Sequence, residues 1–194
     1  MNKKLVLGIT GASGFIYALR LIEHLKHIKN VEIHLVMTKA AQITRAQETS
    51  VSLTELKKMV DCYHPIEDIG ASIASGSFKH DGMLILPCSM NTLAELSCGI
   101  TNNLLTRAAD VCLKERRKLL IMPRETPLHA IHLKNMATLS ELGAIIYPPM
   151  PAFYHHPQSI EEMVDHTIGR ILSLFDIEQN LSPEWQGWYP LKHK

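Results

Sequence analysis

The chain has no excess of charge of either sign. Its 20 Lys and Arg stand against 19 Asp and Glu, a formal net charge of +1 over 194 residues. Bulk electrostatics therefore give no reason to expect a nucleic-acid partner or a membrane-surface role. No apolar stretch is long enough to span a bilayer. A secretory pattern is absent as well: Met1-Asn2-Lys3-Lys4 is basic, but the apolar run Leu5-Val6-Leu7 stops at Gly8. A cytoplasmic location is the expectation. The four cysteines, Cys62, Cys88, Cys98 and Cys112, include no CxxC pair, and in a chain without an export signal they stay reduced. Small buried hydrophobes is the reading for Cys62, Cys98 and Cys112. There is no repeat, low-complexity segment or interdomain linker, and the length fits one domain over 1–194. The polar tail from about 178 carries Trp185 and Trp188.

Short apolar runs alternate with helical patterns. Strands are expected at Leu5–Leu7, Val31–Met37, Met83–Leu86, Leu119–Met122 and Ala144–Tyr147. Helical spacing covers Phe15 to Lys26, Thr92 to Leu96, Leu104 to Arg116 and Leu128 to Leu142. Capping boxes at Ser52–Glu55 and Ser159–Glu162 open two more. Continuous apolar strands between helices predict an α/β fold with a parallel sheet covered by helices on both faces.

The first strand runs into Gly8-Ile9-Thr10-Gly11-Ala12-Ser13-Gly14. A loop there can turn backbone N–H groups and a helix dipole toward an anion, and Ser13 adds a hydroxyl. Its GxxGxxG spacing is not the GxGxxG of dinucleotide sites, and the second strand ends in Thr38-Lys39 without the acidic residue a ribose needs. No GKS or GKT follows, which excludes a P-loop. Taken alone, the loop is equally a tight βα turn whose glycines serve packing.

Four further segments lie where strands hand over to loops or helices. Pro87-Cys88-Ser89-Met90-Asn91-Thr92 offers Ser89, Asn91 and Thr92 as donors at a helix start, more than an ordinary N-cap uses. Pro123-Arg124-Glu125-Thr126-Pro127 pairs a cation with a proton-transfer group in a proline-stiffened loop, against the plainer reading of a surface ion pair. The stretch Pro148 to Pro157 presents Tyr154, His155 and His156, and Arg170 follows on the next helix. Adjacent histidines seldom ligate one metal, so no metal site is expected there. Arg107 and Lys114 are seven residues apart and share one helix face, either solvated or turned to an anion. Glu48 belongs to the helix after the second strand.

Together these segments resemble the flavin prenyltransferases of the UbiX type, formerly described as small subunits of aromatic-acid decarboxylases. The resemblance runs from Leu5 to about Leu174. It rests on GITGASG at Gly8–Gly14, ASGSF at Ala74–Phe78, PCSMNTLA at Pro87–Ala94, NLLTRAADVCLKERRKL at Asn103–Leu119, PRETPL at Pro123–Leu128 and PPMPAFYHHPQS at Pro148–Ser159. It implies a three-layer flavodoxin-like or Rossmann-like fold, with a parallel sheet between helices, and an FMN-binding enzyme, without a metal, that joins a dimethylallyl group from dimethylallyl phosphate to reduced FMN at N5 and C6. The product would pass to a partner decarboxylase acting on unsaturated or aromatic acids. It also implies a homo-oligomer, a dodecamer, with sites shared among subunits of a trimer.

By similarity, Gly11, Ala12, Ser13, Thr38, Ser89, Met90, Asn91, Thr92 and Arg124 contact FMN. Arg107, Lys114, Tyr154 and Arg170 hold the prenyl donor, and Ser13, Glu48 and Glu125 take part in catalysis. Cys88 takes no role from the resemblance. Phe15 replaces a frequent Ala and Ile69 stands where some members place a Trp, which bears on the shape of the prenyl pocket. Rival readings are an FMN-dependent cysteine decarboxylase, whose PxMNxxMW motif finds no Trp here, a non-catalytic FMN carrier, and a decarboxylase acting directly on a phenolic acid.

Overall fold

The computed structural model describes residues 3–182 and Gly187. Trp185 and Trp188 lie outside them. Two compact units meet in sequence at Met150 and Pro151.

The first unit is a wound α/β sheet. In chain order its elements are β1 (Lys3–Ile9), α1 (Phe15–Lys26), β2 (Val31–Met37), α2 (Lys39–Glu48), α3 (Leu53–Lys58), β3 (Cys62–His64), a 3-10 turn (Ser72–Ala74), β4 (Gly82–Cys88), α4 (Met90–Ser97), α5 (Leu104–Lys114), β5 (Lys118–Pro123), α6 (Ala130–Glu141) and β6 (Ile145–Ile146). All strands are parallel, in the order β3-β2-β1-β4-β5-β6. From β1 the chain winds outward to one edge, then returns to β4 on the other side of β1. That reversal is the switch point, where such sheets open a ligand crevice beyond the carboxyl ends of their strands.

Burial follows the two faces of the sheet. Every residue of β4 is buried. Val6, Val36, Met83, Ile85, Leu119 and Ile121 form one core with Leu104, Leu105, Ala108 and Cys112 of α5. Side chains alternate along a strand, so α1, packed on β1, β2 and β4, covers the other face through Phe15, Ala18, Leu21, Ile22 and Leu25.

Caps set the helix starts that the sequence implies. Ser52 and Glu55 form the full reciprocal box at α3, and Asn103 and Thr106 do the same at α5. The last turn of α5 stops at Lys114, because Arg116 takes a left-handed conformation at φ 56. The helix expected from Leu128 begins at Ala130, where the His129 ring accepts from the Ile131 amide at 3.2 Å. The strand β3 is not foreseen from sequence.

The second unit is α7 (Ile160–Leu174) with the segments around it. Ser159 caps it, accepting from the Glu162 amide at 3.1 Å. Gln179 accepts from the Leu181 and Ser182 amides, and this turn packs on α7 where Gly169 leaves room.

The cysteine expectation needs correcting. Cys112 is buried, but Cys62 is half-buried and Cys98 exposed. Cys98 follows α4 directly, where the chain leaves the core, and Cys62 sits on the edge strand.

Candidate functional site

The loop after β1 lies between the ends of β2 and β4, at the switch point. Thr10 fixes it there. Its hydroxyl donates to the Pro87 carbonyl at 2.8 Å and accepts from the Ser89 amide at 2.7 Å. Its own amide also donates to Pro87, at 3.2 Å. Thr10 is 1% exposed, so these bonds form away from water and lock the glycine loop to the PCSMNT segment. On the other side, the Thr44 hydroxyl of α2 donates to the Gly11 carbonyl at 3.0 Å. A Cβ on Gly11 would stand 2.5 Å from the Ala40 Cβ, so α2 and the loop meet at glycine distance.

Gly14 is left-handed at φ 106, the N-cap of α1, and has no side chain to cap with. Glu48, at the end of α2, does this instead. Its carboxylate accepts from the Gly14 amide at 3.0 Å and the Phe15 amide at 2.8 Å, and Ser13 also hydrogen-bonds it. The helix start that looked like a phosphate seat is thus occupied by a carboxylate of the chain itself. Burial pushes Glu48 up, but the bonds from Ser13, Phe15 and Gly14 and the charge of Arg124 outweigh it and hold the carboxyl below its ordinary range. Glu48 is accordingly an anion at neutral pH, facing a cation across the crevice.

Two clefts flank the glycine loop. One, of about 380 Å³, lies past β4, β5 and β6 and is lined by Met90, Arg124, Glu125, Leu128, Met136 and Pro148, among others. Arg124 is anchored by its amide to the Cys88 carbonyl at 3.1 Å, and the Glu125 carboxylate accepts from the Thr126 amide at 3.0 Å. The other, of about 510 Å³, lies past β2 and β3 and includes Thr38, Ile66, Ile69 and Asn103. The Thr38 hydroxyl caps α2, accepting from the Ala41 amide at 3.1 Å. Ser89 caps α4, accepting from the Thr92 amide at 3.3 Å, and Asn91 donates to Glu95 at 3.0 Å. Ile69 is 65% exposed in its cleft, whereas Phe15 is wholly buried. Cys88 is also buried, and burial pushes its thiol up, so it is inert.

One expected residue of the first unit, Lys114, is not brought to this crevice within the chain. The Arg107 guanidinium is committed to the Ala74 carbonyl at 3.2 Å and to Asp110 at 2.7 Å. Lys114 pairs with Glu115 and lines a third cleft, of about 300 Å³, with Ser97, Gly99, Asp110 and Leu142. Those residues belong to the C-terminal ends of α4, α5 and α6, at the amino end of the sheet, opposite the glycine loop.

In the second unit, Tyr154 and Arg170 belong to one cluster. The Tyr154 hydroxyl lies 3.1 Å from His166 Nε2, and the rings of His155 and His166 stack at 4.1 Å. Burial lowers the His166 pKa, and the charges of His155 and Arg170 add to this. His166 is a residue that sequence reasoning missed. The signal was there: it lies four residues before Arg170, on the same helix face.

Comparisons with known proteins fix the class. Residues 1–179 match the family described as Flavoprotein. The flavin prenyltransferase UbiX of Neisseria meningitidis is 51% identical over 187 residues, 96% of this chain and 98% of its own. A UbiX protein solved in complex with FMN and dimethylallyl pyrophosphate superposes with a TM-score of 0.94 at 43% identity, covering 97% of this chain and all of that one. A dodecameric FMN-dependent UbiX-like decarboxylase from Escherichia coli O157:H7 gives 0.92 at 46%, covering 95% of this chain and all of its own. The chain belongs to the flavoproteins, and within them to the UbiX-type flavin prenyltransferases.

Among the described residues, no helix is long and apolar enough to cross a membrane.

Proposed function

We propose that this chain transfers a dimethylallyl group from dimethylallyl phosphate to reduced FMN, joining it at N5 and C6, and that the whole chain works as one flavoprotein domain. The observation that carries this reading is the crevice at the switch point, where Thr10 locks the glycine loop to PCSMNT and Arg124 faces Glu48. The polar groups around it are of types that suit FMN: the Ser13 hydroxyl in the glycine loop, Ser89, Asn91 and Thr92 at the start of α4, Thr38 in the second cleft and the Arg124 cation, for a phosphate and a heterocycle edge, with Met90, Met136 and Leu128 as apolar lining of the first cleft. Gly11 and Ala12 add close backbone approach.

Bound in its reduced form, the flavin supplies the nucleophilic positions that take the prenyl group. The residues have separate tasks. Arg and Lys side chains and the Tyr154 hydroxyl stabilise the charge on a departing phosphate without a metal. Arg107, Lys114, Tyr154 and Arg170 are assigned to it. Because Lys114 sits at the amino end of its own sheet, it would serve the crevice of a neighbouring copy, which requires a homo-oligomer. A dodecamer like that of the E. coli O157:H7 relative supports this. Glu48, held anionic, orients Ser13 and balances Arg124, while Glu125 takes the proton released on ring closure. The prenylated flavin then passes to a partner decarboxylase, and the work is done in the cytoplasm.

The test is anaerobic incubation of the purified protein with FMN, a reductant and dimethylallyl phosphate, followed by the mass of the released flavin. A gain of one prenyl group is expected. FMN returned unchanged overturns the reading.

A further inference from the structure

At the β2–β3 edge of the sheet, on its α5 face, lies a cluster to which the proposed prenyl transfer assigns no role. Cys62 and His64 are two residues apart on edge strand β3, so both project from one face. His34 of β2 stands opposite Cys62 in the parallel register, on that same face. The ligand atoms of His34, Cys62 and His64 all lie within 4.8 Å of one another. His34 Nδ1 is 3.0 Å from His64 Nε2.

The surroundings resemble a built metal site more than a packed polar pair. His34 Nε2 is 2.8 Å from Glu32 Oε1, and Glu32 is held in turn by Lys4 at 2.9 Å. A carboxylate only accepts, so the His34 proton resides on Nε2, and in the neutral ring Nδ1 is left as a lone pair directed at His64. A carboxylate holding the far nitrogen of a histidine is the usual outer support of a metal ligand. Phe78 packs on the His34 ring edge-on at 5.0 Å and closes that side. The half-buried Cys62 leaves an entry from the sheet edge.

We propose that His34, Cys62 and His64 bind one zinc-class divalent cation, with water as the fourth ligand, clipping edge strand β3 to β2. Three donors around a tetrahedral zinc stand about 3.3–3.6 Å apart, so closure asks for about an ångström of side-chain adjustment. Binding releases the Cys62 thiol proton. His64 passes its own proton from Nε2 to Nδ1, so that Nε2 faces the metal. A clip matters at this position because β3 has three residues and, among the described residues, pairs only with β2.

The test is a Co²⁺ titration of the full-length protein, reduced and stripped with chelator, followed by displacement with Zn²⁺. One equivalent per chain is expected, with tetrahedral visible bands and a thiolate-to-cobalt charge-transfer band. Cys62→Val should abolish the charge-transfer band and Cys98→Ser should leave it intact. Glu32→Gln should weaken binding about 10–100-fold. Stoichiometric binding without the thiolate band would place the metal elsewhere, for example on the stacked His129 and His132 pair, and overturn the proposal. So would the absence of saturable binding. Should Cys62→Val fail to fold, alkylation of the wild-type protein decides. Zn²⁺ should slow modification of Cys62 at least tenfold and leave Cys98 unaffected; equal rates with and without metal overturn the site.

Discussion

Glu48 accepts a hydrogen bond from the amide of Phe15 at 2.8 Å, joining the end of α2 to the start of α1 across 33 residues. A carboxylate here satisfies orphan amides and complements the helix dipole. Glu48→Ala should therefore lower stability by about 1 kcal/mol, as loss of a helix cap does, and loosen the glycine loop. Denaturant unfolding measures the first effect and FMN affinity the second. The pH dependence follows from the depressed pKa. The contribution is present above the ordinary carboxylate range and fades as pH falls through the lowered folded value.

Thr10 makes the bond between two segments 77 residues apart. Thr10→Val keeps the shape and removes the hydroxyl, leaving the Ser89 amide without its acceptor. The expected cost is about 1–3 kcal/mol in unfolding free energy, with weaker FMN binding by fluorescence titration. An unchanged flavin affinity would show that the bridge serves folding alone.

Gly11→Ala places a Cβ 2.5 Å from that of Ala40. The loop or α2 must move, and overpacking of this kind costs about 1–3 kcal/mol. Purified protein should carry little flavin and melt at a lower temperature than the wild type.

Glu125→Gln keeps the size of a cleft residue and removes its basicity. Turnover should fall by about 10²-fold or more, the typical range for a general base, with little change in FMN affinity. Unchanged turnover removes Glu125 from proton transfer.

His166 is buried and its pKa is lowered from 6.5. The unfolded chain therefore binds its proton first, and the stability due to the neutral ring is lost as pH falls below about 6.5 toward the folded value. The denaturation midpoint should drop over that interval in the wild type, and less so in His166→Gln.

Much of the fold was legible because local chemistry announces it. Gly14 opens α1 as its left-handed N-cap, and Ser52, Ser89, Asn103 and Ser159 each cap a helix through their own side chains. The strand β3 was not legible, since Cys62-Tyr63-His64 is three residues long and lacks an apolar run. The crevice was readable as a set of segments but not as a structure. The partners of Thr10 lie 77 and 79 residues away, and nothing local marks that threonine. Glu48 was picked out by resemblance, while its grip on Gly14 and Phe15 depends on how α2 crosses the loop. The separation of Lys114 from the loop follows from winding direction, which a motif does not carry.

That separation reaches beyond one polypeptide. If α5 of one copy completes the crevice of the next, a chain with a broken α5 and a chain with a broken crevice are defective in different halves of the same centre. Mixed in one assembly, Lys114→Ala and Glu125→Gln subunits would rebuild some intact centres from two inactive parents. Such rescue would show as activity returning on mixing, in proportion to the junctions where wild-type α5 meets wild-type crevice.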